Sequence, residues 1–326
     1  MRIIPIQLLR LAVLFALSQA ALAQGQAWPN KPVRLIVSAA PGSLNDSIGR
    51  YYAQKLSAAL GQQVIVDNKP GGANLIAMQA AKAAPADGYT FLQGTSASFA
   101  TNPHLMKALP YDPLKDFVPV ALISRPGFTI AVNSKLPVRT IPELVAYAKS
   151  RPDGITVAID GPRNFTGLTA AYLAKTINAK MLPIAYKNIV QGAQDTAAGT
   201  TDVVIQGYGL LQGMVSKGDL RPIAITSPTR MPLLPELPTV GETHPGFDIT
   251  GWIGFFAPAG TPPEIVARMN AEVDKILKDP ETRVWGDRLY QTIEPQAGTP
   301  EGLKEFVQAQ YVMWGRVVDQ LGVQPD

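Results

Sequence analysis

Apolar residues recur along the chain with two alternating periods. Short aliphatic runs, such as VRLIV at 33–37, lead into segments with a helical repeat, such as Ile48, Tyr52, Leu56 and Leu60. The same alternation continues through QVIVDN, YTFLQG, FVPVALIS, FTIAVN, ITVAID, MLPIAY, DVVIQG and LRPIAIT. Strands that alternate with helices predict an α/β fold with parallel-rich sheets flanked by helices on both faces.

Three helix starts carry a local signal. Thr140 with Glu143, and Thr261 with Glu264, have the spacing of a capping box, the second with proline at the first helical position. Thr299, followed by a proline, opens the last helix. We therefore expect helices to begin directly after these three threonines.

The C-terminal third contains a proline-rich segment and a long amphipathic helix. The segment 228–247 has five prolines and is predicted to be a surface connection. One apolar stripe along the last helix predicts core packing. Its members are Leu303, Phe306, Val307, Tyr311, Trp314, Val318 and Leu321.

Residues 1–23 have the layout of a secretory signal peptide. Arg2 and Arg10 form a positive n-region, an apolar core follows, and Ala-Leu-Ala at 21–23 is a small-residue cleavage site. The apolar core is too short for a membrane span. The sequence has no cysteine to carry a lipid anchor. We therefore expect a free protein in the periplasm. A monomer is expected as well.

Composition excludes several function classes. The net charge is only +4, with two of the positive charges in the leader, and no basic cluster is present, so nucleic acid and membrane surfaces are not expected partners. Two histidines, His104 and His244, cannot build a His-rich metal site. The sequence contains no G-x-S-x-G, Walker A or G-x-G-x-x-G motif. We expect neither an enzyme nor a bound metal or cofactor.

Four strand-like runs end in small, polar turns, at 40–46, 94–102, 160–167 and 206–209. Ligands of open α/β sheets lie outside the carboxyl ends of the strands. The first and third turns run into helices, whose N-termini carry unpaired N–H groups and a partial positive charge. Two such ends across a cleft favour a dicarboxylate.

The first turn contains donors and one acid. Ser43 and Asn45 can donate hydrogen bonds to an anion, whereas Asp46 is expected to cap the helix or hold water because it would repel a carboxylate. Leu44 is an isolated apolar residue that could meet a ligand ring. The alternative is an ordinary turn and N-cap.

The third turn contains one arginine and one aromatic residue. Arg163 suits bidentate carboxylate binding, and its alternative is a local ion pair with Asp160. Phe165 is either a plug in the domain core or a wall for a flat ligand. Phe99, in the second turn, is expected in the core.

The chain resembles the substrate-binding proteins of tripartite tricarboxylate transporters, the Bug or TctC-like family, over essentially the whole mature length. The resemblance rests on WPNKPVRLIV, LGQQVIVDNKPGG, DGYTFLQGTSA, LPYDPLKDFVPVALI, AITSPTRMPLLPELPTVGE and WIGFFAPAGTP. It implies a two-domain periplasmic binding protein of type II, with domain 1 at 24–125 and 250–326 and domain 2 at 126–249. The resemblance further implies two hinge crossings, near Ser124–Pro126 and Asp248–Gly251, and domain closure on the ligand. Membrane transporter subunits are the implied partners.

The pocket loops depart from the family pattern. Ser43 and Leu44 replace glycines, Gly167 stands at a histidine position, and Gln206 replaces an acid. The residues predicted to meet the ligand are Ser43, Leu44, Asn45, Asp46, Thr95, Ser96, Arg163, Asn164, Phe165, Thr166 and Gln206. The bulkier loops favour an aromatic dicarboxylate such as terephthalate. The alternatives are an aliphatic dicarboxylate receptor, a ligand-presenting sensor subunit and a secreted hydrolase.

Overall fold

The computed structural model describes residues 28–296 and 298–326, so the predicted leader lies outside the described residues. The strands are β1 (Val33–Val37), β2 (Val64–Asn68), β3 (Thr90–Thr95), β4 (Phe117–Ser124), β5 (Thr129–Asn133), β6 (Ile155–Ile159), β7 (Met181–Ala185), β8 (Val203–Gln206), β9 (Leu220–Ile225) and β10 (Ile253–Pro258). The helices are α1 (Leu44–Leu60), α2 (Leu75–Lys82), α3 (Asn102–Leu105), α4 (Ile141–Lys149), α5 (Phe165–Thr176), α6 (Ile189–Ala198), α7 (Tyr208–Ser216), α8 (Pro263–Lys278), α9 (Pro280–Arg288) and α10 (Pro300–Leu321). Short helical turns cover Gly72–Asn74, Ala97–Thr101 and Val240–Glu242.

Two five-stranded sheets share one pattern of connections. Their orders are β2-β1-β3-β10-β4 and β7-β6-β8-β5-β9. In the first sheet β1 is parallel to β2 and β3, and β10 runs antiparallel to β3 and β4. In the second sheet β6 is parallel to β7 and β8, and β5 runs antiparallel to β8 and β9. The predicted fold class is confirmed: the protein has two α/β domains with parallel-rich sheets.

Helices cover both faces of each sheet because the side chains of a strand alternate in direction. Leu35 of β1 packs in the cluster formed with α1 and α8, whereas the adjacent Ile36 packs with α2 and α10. In the second sheet Ile130 faces α4 and α5, and Ala131 faces α6 and α7. The continuous apolar runs in the sequence are therefore strands buried on both faces.

The chain passes between the sheets twice, after β4 and after β9. The two crossings pair through a bridge between Gly127 and Thr250, and the Gly251 N–H donates to the Pro126 carbonyl at 3.2 Å. In the register of the second sheet, Thr129 at the start of β5 lies opposite the last residue of β8. Both crossings therefore join the carboxyl edge of the first sheet to the carboxyl edge of the second, and the cleft lies between those edges.

The last helix belongs to both cores. Leu303 and Val307, in its first half, pack in the cluster of the first sheet that contains Phe256. Trp314 and Val318, in its second half, pack in the main cluster of the second sheet. Helix α10 therefore bridges the two domains along its length.

Two of the three predicted helix starts are confirmed. Thr140 accepts a hydrogen bond from the Glu143 N–H, and Thr299 accepts one from Gly302. The predicted capping box at Thr261 is wrong. Helix α8 has Pro262 at its N-cap, and the Thr261 hydroxyl donates to the Pro258 carbonyl at 2.8 Å instead.

The prediction of a surface connection at 228–247 also needs correction. Its prolines are mostly exposed, but regularly spaced apolar side chains between them are buried. These are Met231, Leu234, Leu237, Val240 and Phe247. The segment therefore adds to the core of the second domain as it returns to the first.

Candidate functional site

The first loop is held by hydrogen bonds to side chains of α1 and β2. Gly42 has a φ of +81°, and Ser43 is the N-cap of α1, where its hydroxyl accepts from the Asp46 N–H at 3.3 Å. The buried Asp46 carboxylate accepts from the Gly42 N–H at 2.8 Å, from Arg50 Nε at 2.9 Å and from Asn68 Nδ2 at 2.9 Å. Burial by itself raises the pKa of Asp46, but the hydrogen bonds from Arg50, Gly42 and Asn68 outweigh it and leave the pKa lowered.

The N-cap of α1 therefore differs from the predicted one. The cap is Ser43, not Asp46, and the Asp46 oxygens are occupied by donors from the protein. Leu44 is 45% exposed at the first helical position. The Asn45 carbonyl accepts from Gln93 Nε2 at 2.9 Å. The backbone N–H groups of Leu44 and Asn45 have no hydrogen-bond partner within the described part of the chain.

The third loop is built around Asp160 at the end of β6. Thr166 donates its hydroxyl to the Asp160 carboxylate and accepts from the Asp160 N–H at 3.2 Å. Asn164 occupies the N-cap position of α5, but its amide donates to the Asp160 carbonyl at 2.9 Å and caps nothing. Burial raises the pKa of the Asp160 carboxyl above its ordinary value.

Helix α5 consequently begins without a side-chain cap. Among residues 28–296 and 298–326, nothing accepts from the N–H groups of Phe165, Thr166 and Gly167. A helix N-terminus in this condition favours an anion. Gly167 has a steric reason as well: a Cβ there would overlap the Gly161 carbonyl oxygen and lie 2.9 Å from Pro162 Cα.

Arg163 binds the C-terminal segment and Leu105, not Asp160. Its guanidinium donates to the carbonyls of Leu105 and Gln324, the latter at 2.9 Å, and pairs with Asp326 at 3.0 Å. The local pair with Asp160 does not form among the described ion pairs. In this structure Arg163 fastens the C-terminal segment to the second domain.

Phe165 packs against core residues with part of its ring. Its ring centroid lies 4.8 Å from that of Phe128, in the first crossing, and 5.3 Å from that of Trp314. The side chain is only half-buried, so part of it remains exposed. Phe99 is fully buried and stacks on Phe256 at 4.0 Å, which confirms its predicted core position.

The second and fourth loops end β3 and β8 at the same facing edges. Thr95 shares a hydrogen bond with Ser98 at 3.2 Å, and the buried Ser96 donates its N–H to the Trp252 carbonyl at 3.1 Å. Gln206 Oε1 accepts from the Gly207 N–H at 2.9 Å. The topology thus places all four loops along one cleft.

Sequence reasoning missed Thr129 as a candidate. It lies opposite Gln206 in the strand register, and its buried hydroxyl has no hydrogen-bond partner among the described residues. A threonine inside the strand-like run FTIAVN gives no local signal of such a position. Thr129 lies at the carboxyl edge of the second sheet because β5 begins there, directly after the first crossing.

Within the described ranges, neither a metal site nor a membrane span is found. Those residues contain no group of three or more His, Cys, Asp or Glu side chains placed to hold a metal ion. Their helices also lack the combination of length and hydrophobicity needed to cross a bilayer.

A two-domain α/β fold with a cleft between facing carboxyl edges defines the class of periplasmic binding proteins. The family model described as "Tripartite tricarboxylate transporter family receptor" matches residues 48–323. The chain belongs to this family, as the sequence resemblance predicted.

Individual relatives agree with that assignment. A protein of Bordetella bronchiseptica from the group named UPF0065 is 36% identical, covering 84% of this chain and 81% of the relative. The structure of Rpa4515 from R. palustris with adipate is 31% identical with a TM-score of 0.79, covering 92% of this chain and 100% of the other. MatC from Rhodopseudomonas palustris with bound malate is 26% identical with a TM-score of 0.74, covering 89% and 100%.

Proposed function

We propose that this protein is a periplasmic solute receptor that captures a small dicarboxylate and delivers it to the membrane subunits of a tripartite tricarboxylate transporter. One observation carries the proposal: two strand–loop–helix units, at 37–46 and 159–167, lie at the facing sheet edges, and their helices begin with N–H groups that have no partner among the described residues. Family membership supports the receptor role. The dicarboxylates named for two similar structures, adipate and malate, support the ligand class.

Each carboxylate would meet one helix N-terminus. In the first domain the donors would be the Leu44 and Asn45 N–H groups with the Ser43 hydroxyl nearby. In the second domain they would be the N–H groups that start α5. Each hydrogen bond from an amide to a charged acceptor contributes about 1.5–3 kcal/mol, so a few such bonds hold a small dianion without an array of basic residues.

The finer proposal is an aromatic dicarboxylate such as terephthalate. Leu44 is exposed at the first loop, and the half-buried Phe165 leaves part of its ring accessible at the third. Both would provide apolar surface for a flat ring. Aliphatic diacids are the competing ligands, because they need the helix ends but not the apolar surface.

Calorimetry on the purified mature protein tests the proposal with terephthalate, adipate, malate and glutamate. Binding of at least one dicarboxylate is expected, and selective binding of terephthalate would support the aromatic ligand. Binding of aliphatic diacids alone would overturn the aromatic proposal and retain the receptor. Failure of every carboxylate to bind would overturn the ligand class.

Two variants sharpen that experiment. Phe165→Ala should weaken an aromatic ligand more than an aliphatic one, and equal losses would remove the ring from the proposed site. Arg163→Ala should leave affinity nearly unchanged while lowering the melting temperature, because its guanidinium binds the C-terminal segment. A tenfold or greater loss of affinity, about 1.4 kcal/mol, would instead restore Arg163 to the ligand site.

A further inference from the structure

The segment 289–294, which follows α9, is tied to the hinge on one side. The Arg125 N–H in the first crossing donates to the Thr292 carbonyl at 3.0 Å, and the Glu294 N–H donates to the Ile123 carbonyl at 3.0 Å. The Arg125 guanidinium pairs with the buried Glu294 carboxylate through two hydrogen bonds of 2.7 and 3.1 Å. The segment is therefore fixed to the end of β4, where the chain leaves the first domain.

Tyr290, at the start of this segment, has an unusual backbone conformation. Its φ is +51°, in the left-handed region where glycine is usually found after a helix. Its N–H donates to the Asp287 carbonyl at 3.0 Å, and the Gln291 N–H donates to Gly286 at 3.0 Å, which closes the end of α9. Tyrosine is uncommon in this conformation and is held in it by its surroundings.

The ring of Tyr290 lies in the second domain. It packs beside Tyr208, with ring centroids 4.7 Å apart, on an apolar cluster of that domain. The buried members of the cluster are Ile225, Met231, Leu234 and Leu237. A half-buried side chain from the end of a first-domain helix thus packs on an apolar cluster of the other domain.

The contact lies at one of the four cleft loops. Tyr208 is the first residue of α7 and follows Gln206 and Gly207 at the end of β8. The start of α7 lies so close to this segment that a Cβ at Gly209 would be 3.2 Å from the Leu289 carbonyl oxygen. Displacing the Tyr290 ring would remove its contact with the start of α7, which directly follows Gln206 and Gly207 in the fourth loop.

We infer that Tyr290 is a positioning residue for the cleft, which holds the loop at 206–208 in the second domain against the hinge side of the first domain. The inference rests on the proposed function for its effect on ligand affinity. The contact itself can be measured without any ligand. The ring is the part removed in the test, because its centroid lies 4.7 Å from that of Tyr208.

The test compares Tyr290→Gly, Tyr290→Phe and Tyr208→Ala with a control, Tyr89→Ala. Tyr290→Gly removes the ring and relieves the left-handed backbone, so its fold should be retained. Tyr89 is a half-buried ring that packs beside Trp28 at the opposite edge of the first sheet. Hydrogen exchange of the amides at 208–212 and dicarboxylate affinity are measured for each variant.

Tyr290→Gly and Tyr208→Ala should each speed exchange at 208–212 several-fold and weaken dicarboxylate binding about fivefold, about 1 kcal/mol. Their double variant should lose no more than either alone, because both remove one contact. Tyr290→Phe and Tyr89→Ala should behave like the parent protein.

Parental exchange at 208–212 in Tyr290→Gly would overturn the inference whatever the ligand result. Faster exchange with parental affinity would overturn the positioning role and leave the receptor proposal standing. If the parent protein binds no dicarboxylate, the receptor proposal fails, and exchange at 208–212 still decides whether Tyr290 holds this loop.

Discussion

The loops at 40–46 and 160–167 have the same layout but differ in how their helices begin. Helix α1 has a serine cap and a buried acid at its third position, which binds back to the loop backbone. Helix α5 has Asn164 at the cap position, and its amide points back to the strand end instead. Asp46 is held ionised by donors, whereas burial favours the protonated form of Asp160.

The difference shows that two loops with the same strand–loop–helix layout can begin their helices in different ways. The first loop is stabilised before any ligand arrives, because its side chains satisfy part of the helix end. The third loop leaves three amide N–H groups for an outside acceptor. Helix α1 leaves two such N–H groups among the described residues, those of Leu44 and Asn45, so under the proposed function each domain has donors for one carboxylate.

The largest expected effect comes from adding a side chain at Gly167, where the third loop and α5 pack most closely. Gly167→Ala should destabilise the protein by about 3 kcal/mol, because the new Cβ overlaps a backbone carbonyl that cannot move aside freely. Denaturant unfolding measures the change. Gly213→Ala, in α7 with open space around it, is the matched control and should be neutral or slightly stabilising. Equal stability of the two variants would contradict the close packing described for α5.

The next effect tests the anchored acid of the first loop. Asp46→Asn should cost about 2 kcal/mol, since it removes charge-assisted bonds to Arg50 and to the Gly42 N–H. The exposed Asp87, paired with Lys31 at 3.4 Å, offers the control variant Asp87→Asn, which should change stability by less than about 0.5 kcal/mol. A loss as small as the control's would mean that the loop does not depend on the carboxylate.

The residues at the two N-cap positions should also differ in how much their substitution lowers stability, but by less than the two preceding pairs of variants. Ser43→Ala removes a real N-cap and should cost about 1 kcal/mol. Asn164→Ala removes only an exposed bond to a carbonyl and should cost less than about 0.5 kcal/mol. Thermal unfolding of both variants ranks them. A larger loss for Asn164→Ala would reverse the comparison between the two loops.

The smallest effect is a difference in pH dependence. The pKa of Asp46 is lowered, so its stabilisation is complete above its ordinary value of 3.8 and is lost as pH falls through the lowered pKa. The pKa of Asp160 is raised, so its ionised form weakens the fold above that raised pKa, and the penalty disappears as pH falls toward 3.8. Relative to the parent protein, Asp160→Asn should therefore gain stability at neutral pH and lose that advantage in acid. Parallel stability curves for Asp160→Asn and the parent would contradict this assignment.

Most of the fold could be predicted from local patterns. The strand-like runs and the caps at Thr140 and Thr299 were confirmed because the signals lie within a few residues of the structure they specify. The Thr261 cap failed because proline at 262 takes the N-cap position itself. The core packing of 228–247 was not predicted, because its five prolines are typical of a surface connection and the apolar residues between them were given no weight.

The candidate site was less predictable, since its contacts are distant in sequence. The loops themselves follow from strand ends, but the partner of Arg163 is Asp326, at the far end of the chain. Asp46 is held partly by Asn68 from the neighbouring strand. Thr129 lies at the carboxyl edge of the second sheet, opposite Gln206, only because the chain crosses between the domains just before it. Patterns within a segment contain no information about such partners.

The long final helix has a consequence for how the protein is made. The second domain is nearly continuous in sequence, yet Trp314 and Val318 fill its core from the last helix. The chain is synthesised from its N-terminus, so the core of the second domain cannot be completed until α10 is present. Both domains should reach their native packing together, once α10 is available to both cores.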